Sequence, residues 1–337
     1  KDDSLGIDRV VHNGRPRFSH PDYTVGSGFA PDQPLARLAG LWTRVSHPFT
    51  AGGESRPALK HMRGHYTRLM ESYARGCALG IVRLHNSSDI KAVLMHDYES
   101  FNPDLICALA GVVGEDNVLM VEPMKLHTTF KIGGPADLLV KPQDPQQLVR
   151  VLDTCTFAET PVTVVGNGSD LLVSDRGIRG AVVLLRENMA DVRIEGTRVI
   201  AQAGALLRDV ALAAADAGLS GLEPLWGIPA TVGGACFMNA GAYGGQTSDV
   251  LESVDVYVPS KRGQRGSVCT LDVDQLNMGY RKSRVNTDGL IVLSATFKLT
   301  PDSPDAIRFA MDDFQARREE KQPLDMPSAG STFKRPQ

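Results

Sequence analysis

The chain has 337 residues, of which 42% are hydrophobic and 22% are charged, and its formal net charge is −3. This length is sufficient for two or three domains with full cores. The small net charge excludes a global attraction to nucleic acid or to acidic membranes. The apolar runs are shorter than a membrane-spanning helix, and the first residues lack the apolar region of a secretory signal. We therefore predict a cytoplasmic protein without nucleic-acid or membrane partners.

The five cysteines are scattered along the sequence and form no CxxC pair. Their spacing to the histidines is also unlike that of a zinc site, so we predict no metal site. We predict buried thiols in a reducing compartment. The cysteines are Cys77, Cys107, Cys155, Cys236 and Cys269.

Residues 1–93 differ from the rest of the chain. They are basic, contain most of the eight histidines and are rich in turn-forming proline and glycine, with little helical or strand periodicity. Only residues 66–84 suggest a helix and a short strand. Contacts to nucleic acid or a metal, and sequence upstream of a natural start at Met95, are alternatives that stay open. The composition favours a poorly ordered extension of unknown role.

Regular patterning begins after Met95. Helices are predicted at 104–113, from Pro145 with Asp144 as its cap, at 206–217 and at 305–321. Their inward residues are predicted to be Leu148, Val149, Val151, Leu152, Leu207, Val210, Ala211, Ala214, Ile307, Met311 and Phe314. Strands are predicted at 117–121, 136–140, 162–165, 171–174, 181–185, 191–194, 199–202, 253–258, 267–271 and 290–299. Short strands mixed with a few helices indicate an α+β fold, not a regular βαβ alternation.

The loop 166–170 reads GNGSD and follows a predicted strand. A dinucleotide fingerprint requires a third glycine where Leu171 stands and a helix after the loop, so the Rossmann interpretation fails. A nest of backbone N–H groups between two strands can still hold a diphosphate, with the Ser169 hydroxyl as a further donor. A plain β-turn is the alternative.

The stretch 221–245, GLEPLWGIPATVGGACFMNAGAYGG, interleaves glycines with bulky apolar residues, which flexible linkers lack. We expect bare N–H groups at Gly233, Gly234 and Ala235 and again at Asn239, Ala240 and Gly241. Such a surface suits an extended anionic ligand such as a diphosphate. A tightly packed crossing of the core explains the stretch equally well.

Five motifs in one order give the chain a recognisable pattern: TTFKIGGPADLLVKP, VVGNGSDLLVSDRGIRG, the stretch 221–245, GYRKSR and AGSTFKRP. With these motifs, residues from about 104 onward resemble the UDP-N-acetylenolpyruvoylglucosamine reductases, flavoenzymes of peptidoglycan synthesis. The resemblance implies an FAD-binding fold of the vanillyl-alcohol-oxidase (PCMH) type with two α+β subdomains. It implies non-covalent FAD, NADPH as the reductant and a UDP-sugar substrate. The implied cofactor-binding residues are Gly166, Asn167, Gly168, Ser169, Asp170, Gly233, Gly234, Ala235, Asn239, Ala240 and Gly241.

The same resemblance implies two catalytic residues. Hydride addition to an enol ether that carries a carboxylate leaves negative charge in that carboxylate, so the site needs a fixed cation and a proton donor. Arg281, in GYRKSR, matches the family's active-site arginine, and a planar guanidinium suits a developing enediolate. Ser331, in AGSTFKRP, matches the family's proton donor.

The resemblance also predicts the organisation of the chain. Residues 94–130 would hold an N-terminal helix and strand, 131–300 the FAD-binding domain, and 301–337 a connecting helix and the start of a substrate-binding domain. Because that domain and a C-terminal catalytic glutamate would follow Gln337, we expect a truncated form that holds FAD without turnover. Another FAD oxidoreductase of the same fold and a non-catalytic flavin-binding fragment are the alternatives. The sequence predicts no oligomeric state.

Overall fold

The computed structural model describes residues 102–260 and 264–331, together with the backbone of 11–12 and 15–16. The chain divides into two compact units, 1–101 with 119–121 and 102–118 with 122–337. In the first unit, β1 (Val11–His12) and β2 (Arg15–Pro16) form an antiparallel pair. The predictions for the rest of residues 1–93, including the helix within 66–84, lie outside the described residues.

The first two helices of the second unit begin at a capping side chain, and the cap at Asp144 was predicted. In α1 the Asn102 side chain accepts hydrogen bonds from the backbone N–H groups of Asp104 (3.0 Å) and Leu105 (3.3 Å). In α2 the Asp144 carboxylate accepts one from Gln147 (2.7 Å), and Pro145 takes the first helical position. The helices are α1 (Pro103–Val113), α2 (Pro145–Phe157), α3 (Leu207–Asp216), α4 (Val232–Met238), α5 (Arg284–Thr287) and α6 (Pro304–Lys321).

The strands form separate parallel and antiparallel sheets. The parallel strands lie in the order β4-β6-β5, and the antiparallel sheet has the order β13-β12-β14-β8-β7. The strand bounds are β3 (Val118–Pro123), β4 (Pro135–Val140), β5 (Val162–Val165), β6 (Ile178–Leu184), β7 (Val192–Glu195), β8 (Arg198–Gln202), β9 (Leu219–Ser220), β10 (Gly241–Ala242), β11 (Gly245–Gln246), β12 (Leu251–Val258), β13 (Ser267–Asp272), β14 (Ile291–Lys298) and β15 (Thr300–Pro301). The result is a mixed α/β architecture, which agrees with the predicted mixture of short strands and a few helices.

The core lies on the inner faces of both sheets and of the helices that cover them. Side chains from α2 and the antiparallel sheet meet where the Tyr257 hydroxyl donates to the Asp153 carboxylate (2.8 Å). Burial raises the pKa of Tyr257 to about 12, and the hydrogen bond to Asp153 adds to the increase, so this phenol stays protonated. This contact joins α2 to β12, an inner strand of the antiparallel sheet.

The predicted strand 171–174 is wrong. These residues form a loop in which the Ser174 carbonyl accepts hydrogen bonds from Gly134 (2.9 Å) and Gly177 (2.8 Å). These two hydrogen bonds hold the segment beside residues 134 and 177, outside the ladder formed by β5 and β6. Leu172, which looked like a strand residue, is 74% exposed.

The predicted burial of the thiols holds for two of the four cysteines that the structure describes. Cys155 and Cys236 are buried, and desolvation raises the pKa of each thiol to about 12. Cys107 and Cys269 are exposed, which corrects the prediction, and Cys77 lies outside the described residues. Phe314 is also not a core residue, because its ring is half-buried and stacks on Tyr243, with 5.1 Å between centroids.

No described helix is both long and apolar enough to cross a membrane. Within residues 102–260 and 264–331, no group of three histidine, cysteine or acidic side chains is arranged to hold a metal ion.

Candidate functional site

A single large cavity of about 2490 Å³ brings most of the predicted site residues together. Typical ligand pockets measure roughly 300–1,000 Å³, so this cavity can hold a dinucleotide together with a second ligand. Its lining includes the predicted residues Gly166, Asn167, Gly168, Ser169, Asp170, Gly233, Gly234, Asn239, Ala240, Gly241, Arg281 and Ser331. Ala235 does not line it, because this residue is fully buried on the core side of α4.

The loop 166–170 has the properties of a nest for an anion. Within the described residues, no acceptor is paired with the backbone N–H groups of this loop. The Asn167 amide nitrogen donates to the Pro229 carbonyl (2.7 Å), which fixes the loop against the stretch 221–245. The Asn167 Oδ1 atom is buried without a hydrogen-bond partner in the described part of the chain. Buried acceptors are normally satisfied. The Asn167 Oδ1 atom can therefore accept a hydrogen bond from a ligand, while the N–H groups of the loop can bind an anion.

Gly168 is required by the protein around it. Its φ is +61°, and a Cβ at this position would lie 2.1 Å from the His127 carbonyl oxygen. The Thr129 N–H donates to the Gly168 carbonyl (3.2 Å), so residues 127–129 pass directly beneath the loop. The side chain of His127 is itself fixed by a buried contact to Glu122 (2.9 Å). Glycine at position 168 therefore allows the loop 166–170 and residues 127–129 of the same chain to pack closely against each other.

Gly168→Ala is expected to abolish retention of a ligand by the loop, because the added methyl group must displace either residues 127–129 or the loop itself. The matched control is Gly196→Ala: Gly196 has nearly the same φ (+63°), but a Cβ there meets nothing within 4 Å. The measurement is ligand bound per chain after gel filtration, beside the melting temperature. Equal ligand loss in both variants would contradict the prediction, because backbone strain would then explain it.

The second predicted nest is different from what the glycines suggested. Residues 233–235 form the first turn of α4, and their N–H groups are already occupied: Gly233 donates to the Ala203 carbonyl (2.8 Å), Gly234 to Thr231 Oγ1 (3.4 Å) and Ala235 to the Thr231 carbonyl (2.8 Å). The expectation of bare donors there is wrong. Gly233 and Gly234 contribute to the site through its shape, because they place no side chain on this part of the cavity wall.

Asn239 ends α4 in the left-handed conformation, with φ 43°. Its side-chain nitrogen donates to Gln246 Oε1 (3.2 Å) and to the Gly279 carbonyl (3.2 Å), and its oxygen accepts from the Ser248 N–H (3.0 Å). The side-chain nitrogen of Asn239 therefore has no hydrogen left for a ligand. The next residue, Ala240, donates its N–H to the Ala235 carbonyl (2.9 Å). The expectation of bare N–H groups is therefore wrong for Ala240 as well.

Arg281 projects from a tight turn over residues 279–282. The Gly279 N–H donates to the Lys282 carbonyl (2.9 Å), and the Lys282 N–H donates back to the Gly279 carbonyl (3.1 Å). Arg281 has φ 54°, and its guanidinium carbon lies 5.5 Å from the centre of the Tyr280 ring. A guanidinium stacked on an aromatic ring keeps its plane and its charge in a fixed orientation.

Ser331 reaches the cavity because its segment is held by Thr129, far away in the sequence. The Ser328 N–H donates to the Thr129 carbonyl (3.2 Å), and the Thr129 hydroxyl donates to the Ser328 carbonyl (2.5 Å). Beyond this pair, Gly330 lies against the loop 166–170, where a Cβ would be 3.2 Å from the Ser169 carbonyl oxygen. The segment therefore brings Ser331 close to the loop 166–170.

The sequence reasoning missed the cationic and aromatic wall that α6 adds. The Trp226 ring nitrogen donates to the Met311 carbonyl (3.0 Å), and the Arg208 guanidinium lies 5.6 Å from the Trp226 ring. Arg318 and Lys321 also line the cavity. Partial burial lowers the pKa of Arg318, and the nearby Tyr243 opposes that shift. The run RREEKQP resembles a solvated helix face, so only the docking of α6 reveals these cations.

Comparison with known proteins gives consistent results. The family model described as "FAD binding domain" matches residues 136–262. The UDP-N-acetylenolpyruvoylglucosamine reductase of Clostridium botulinum is 46% identical over 243 residues, which are 72% of this chain and 76% of the relative. The enzyme of the same name from Clostridioides difficile is 43% identical over 235 residues, 70% and 76% of the two chains. The crystal structure of the Thermus caldophilus reductase has a TM-score of 0.55 at 36% identity and covers 65% of this chain and 74% of its own.

Proposed function

This chain belongs to the UDP-N-acetylenolpyruvoylglucosamine reductase family of peptidoglycan precursor synthesis, and we propose which of its residues serve that reduction. The substrate is the UDP-sugar that carries the enolpyruvyl group, the reductant is NADPH, and FAD is held non-covalently. The single observation that supports this best is the cavity that brings together the loop 166–170, Arg281 and Ser331. We keep the cytoplasmic location as a prediction.

The residues of the cavity fit FAD. The unpaired N–H groups of the loop 166–170 suit its diphosphate, and the orphaned Asn167 Oδ1 suits a donor such as a ribityl hydroxyl. Gly233 and Gly234 leave room for the ligand against α4. Residues 131–300 are proposed as the FAD-binding domain, with the cofactor between two α+β subdomains of the vanillyl-alcohol-oxidase type.

When bound, FAD supplies the hydride to the alkene of the substrate. The residues of the chain are proposed to bind the substrate, to stabilise the developing charge and to donate the proton. The Arg281 guanidinium is proposed to orient the enolpyruvyl carboxylate and to stabilise the negative charge that develops there. The Ser331 hydroxyl is proposed to donate the proton to the other alkene carbon, because a carbanion is a base strong enough to take it from a serine. The cations Arg318 and Lys321 suit the diphosphate of the UDP group at the α6 wall.

The alternatives raised by the sequence receive no specific support. Another FAD oxidoreductase of the same fold would not explain 46% identity to a reductase across most of this chain. A non-catalytic binding module would not require Arg281 and Ser331 to reach the cavity that the flavin loop lines.

The first test is the cofactor. Purified protein is expected to show a flavin spectrum, and heat or acid denaturation is expected to release the yellow cofactor into the supernatant as FAD. Anaerobic addition of NADPH should bleach the spectrum, and the enolpyruvyl UDP-sugar should restore it. Colour that stays with the precipitated protein would contradict non-covalent binding. Bleaching without recovery, in the full-length protein, would contradict the proposed substrate.

Thr129→Val is expected to slow the recovery step about fivefold, since losing one hydrogen bond costs roughly 1 kcal/mol and a tenfold change corresponds to about 1.4 kcal/mol. The variant removes the hydroxyl that holds the Ser328 carbonyl but keeps the shape of the side chain. Thr129→Ser keeps the hydroxyl and should behave as the parent. The measurement is stopped-flow flavin reoxidation by substrate. A valine variant as fast as the serine variant would show that the bond does not position Ser331.

A further inference from the structure

The turn over residues 279–282 is strained at Arg281, the residue proposed to bind the substrate. Tyr280 and Arg281 are its two central residues, and Arg281 has the left-handed φ of 54°. A side chain with a Cβ disfavours this conformation, and it persists only where the surroundings enforce it. The two hydrogen bonds within the turn join Gly279 and Lys282 alone. Contacts outside the turn must therefore fix its position in the cavity.

Both ends of the turn are attached to the C-terminal end of α4. At the first end, the Asn239 side-chain nitrogen donates to the Gly279 carbonyl (3.2 Å). At the second end, the Ser283 hydroxyl donates to the Phe237 carbonyl (2.7 Å). Asn239 is 2% exposed and Ser283 is fully buried, so water cannot readily replace either bond.

The two anchors also order the segments around the turn. Ser283 caps α5, where it accepts a hydrogen bond from the Asn286 N–H (3.3 Å). Asn239 connects α4 to the turn 246–248 through Gln246 and Ser248. The left-handed backbone of Asn239 aims its amide at these partners. One short helix, α4, therefore supports the wall beside Gly233 and the turn that carries Arg281.

We propose that Asn239 and Ser283 are positioning residues for Arg281, holding the guanidinium at the place in the cavity where the substrate carboxylate binds while the neighbouring alkene is reduced. This inference rests on the proposed role of Arg281. The polar atoms of both side chains are engaged in hydrogen bonds within the protein. The two residues act by attaching the turn of Arg281 to α4, so that Arg281 keeps a constant distance from the part of the cavity wall formed by Gly233.

The test uses Ser283→Ala and Asn239→Gly in the full-length flavin-loaded protein. Alanine removes the hydroxyl, and glycine removes the amide while it retains the left-handed backbone. Each variant is expected to slow flavin reoxidation by the enolpyruvyl substrate about 10- to 100-fold, the range for a misplaced catalytic group. FAD content is measured first, because Asn239 also lines the cavity. The rate of flavin reduction by NADPH per bound FAD should stay at the parent value. Hydrogen exchange in a peptide over residues 279–283 should become faster in both variants.

Asn277→Gly is the matched control. Asn277 also has a left-handed φ (46°), but its side chain is exposed, so the substitution changes the backbone preference alone. It should leave both half-reactions and the exchange of residues 279–283 unchanged. If one of the anchor variants does not fold, the other still carries the test. Anchor variants that slow both half-reactions equally, or that slow neither, would overturn the proposal.

A double-mutant cycle with Arg281→Lys separates this inference from the proposed function. If Ser283 acts through Arg281, Ser283→Ala should cost nothing further once the guanidinium is gone, so the two losses will not add. Additive losses would show that Ser283 acts elsewhere and would overturn the inference. Unchanged turnover in Arg281→Lys itself would instead refute the proposed role of Arg281.

Discussion

Ser331→Ala is expected to slow reoxidation of the reduced flavin by the enolpyruvyl substrate by at least ~10²-fold, the usual scale for the loss of a proton donor. Alanine removes the hydroxyl and leaves the backbone as it is. The segment remains attached to Thr129 through Ser328, and Gly330 remains against the loop 166–170. Reduction of the flavin by NADPH should therefore be nearly intact, because it needs no proton from this residue.

The measurement is anaerobic stopped-flow on the full-length holoenzyme, with the two half-reactions followed separately at the flavin absorbance band. Ser303→Ala is a suitable control, because Ser303 precedes α6 and its side chain makes no capping bond. Equal slowing of both half-reactions in Ser331→Ala would show that Ser331 is structural. A solvent isotope effect on reoxidation that disappears with the hydroxyl would support the donor role.

Arg281→Lys is expected to be nearly as damaging, with reoxidation slowed roughly 10²- to 10³-fold, the range for removing one group that stabilises a developing oxyanion. The charge is kept, so the loss comes from geometry. A lysine ammonium is a point charge that cannot span both oxygens of the enediolate, and it cannot stack on Tyr280 as the guanidinium does.

The control for Arg281→Lys is Arg284→Lys. Arg284 lies three residues further on, is exposed and pairs with Asp288 (2.7 Å) on the surface of α5. Exposed pairs of this kind contribute little, so this variant should match the parent. The measurements are substrate affinity, from the perturbation of the oxidised flavin spectrum, and single-turnover reoxidation. A lysine variant within threefold of the parent in both would refute the assignment.

The two predictions depend on contacts of very different sequence range. Arg281 is held by a local turn, and hydrogen bonds attach that turn to Asn239 and Phe237 at the C-terminal end of α4. Ser331 is held by Thr129, across 199 residues between Thr129 and Ser328. Only the first motif of the family pattern contains Thr129, and nothing in that motif indicates that its hydroxyl supports a serine near the other end of the chain.

The sequence alone determined the features that short-range chemistry encodes. The cap at Asp144 with Pro145 predicted the start of α2, and GNGSD predicted a loop with free donors. Five ordered motifs predicted the family and with it the cofactor class. Each of these signals is contained within a few residues or in the order of motifs, so no knowledge of long-range contacts was needed.

Only the tertiary structure decided which partner each polar group has. The N–H group of Gly233 looked free, but packing brings the carbonyl of Ala203, 30 positions earlier, close enough to accept from it. Residues 171–174 looked like a strand, but the carbonyl of Ser174 accepts its hydrogen bonds from Gly134 and Gly177 in a loop. A backbone donor or a strand edge is satisfied by whichever group the fold brings near it, and that group is commonly far away in the sequence. For this reason the motifs predicted the loop, the arginine and the serine, and packing alone placed them around one cavity.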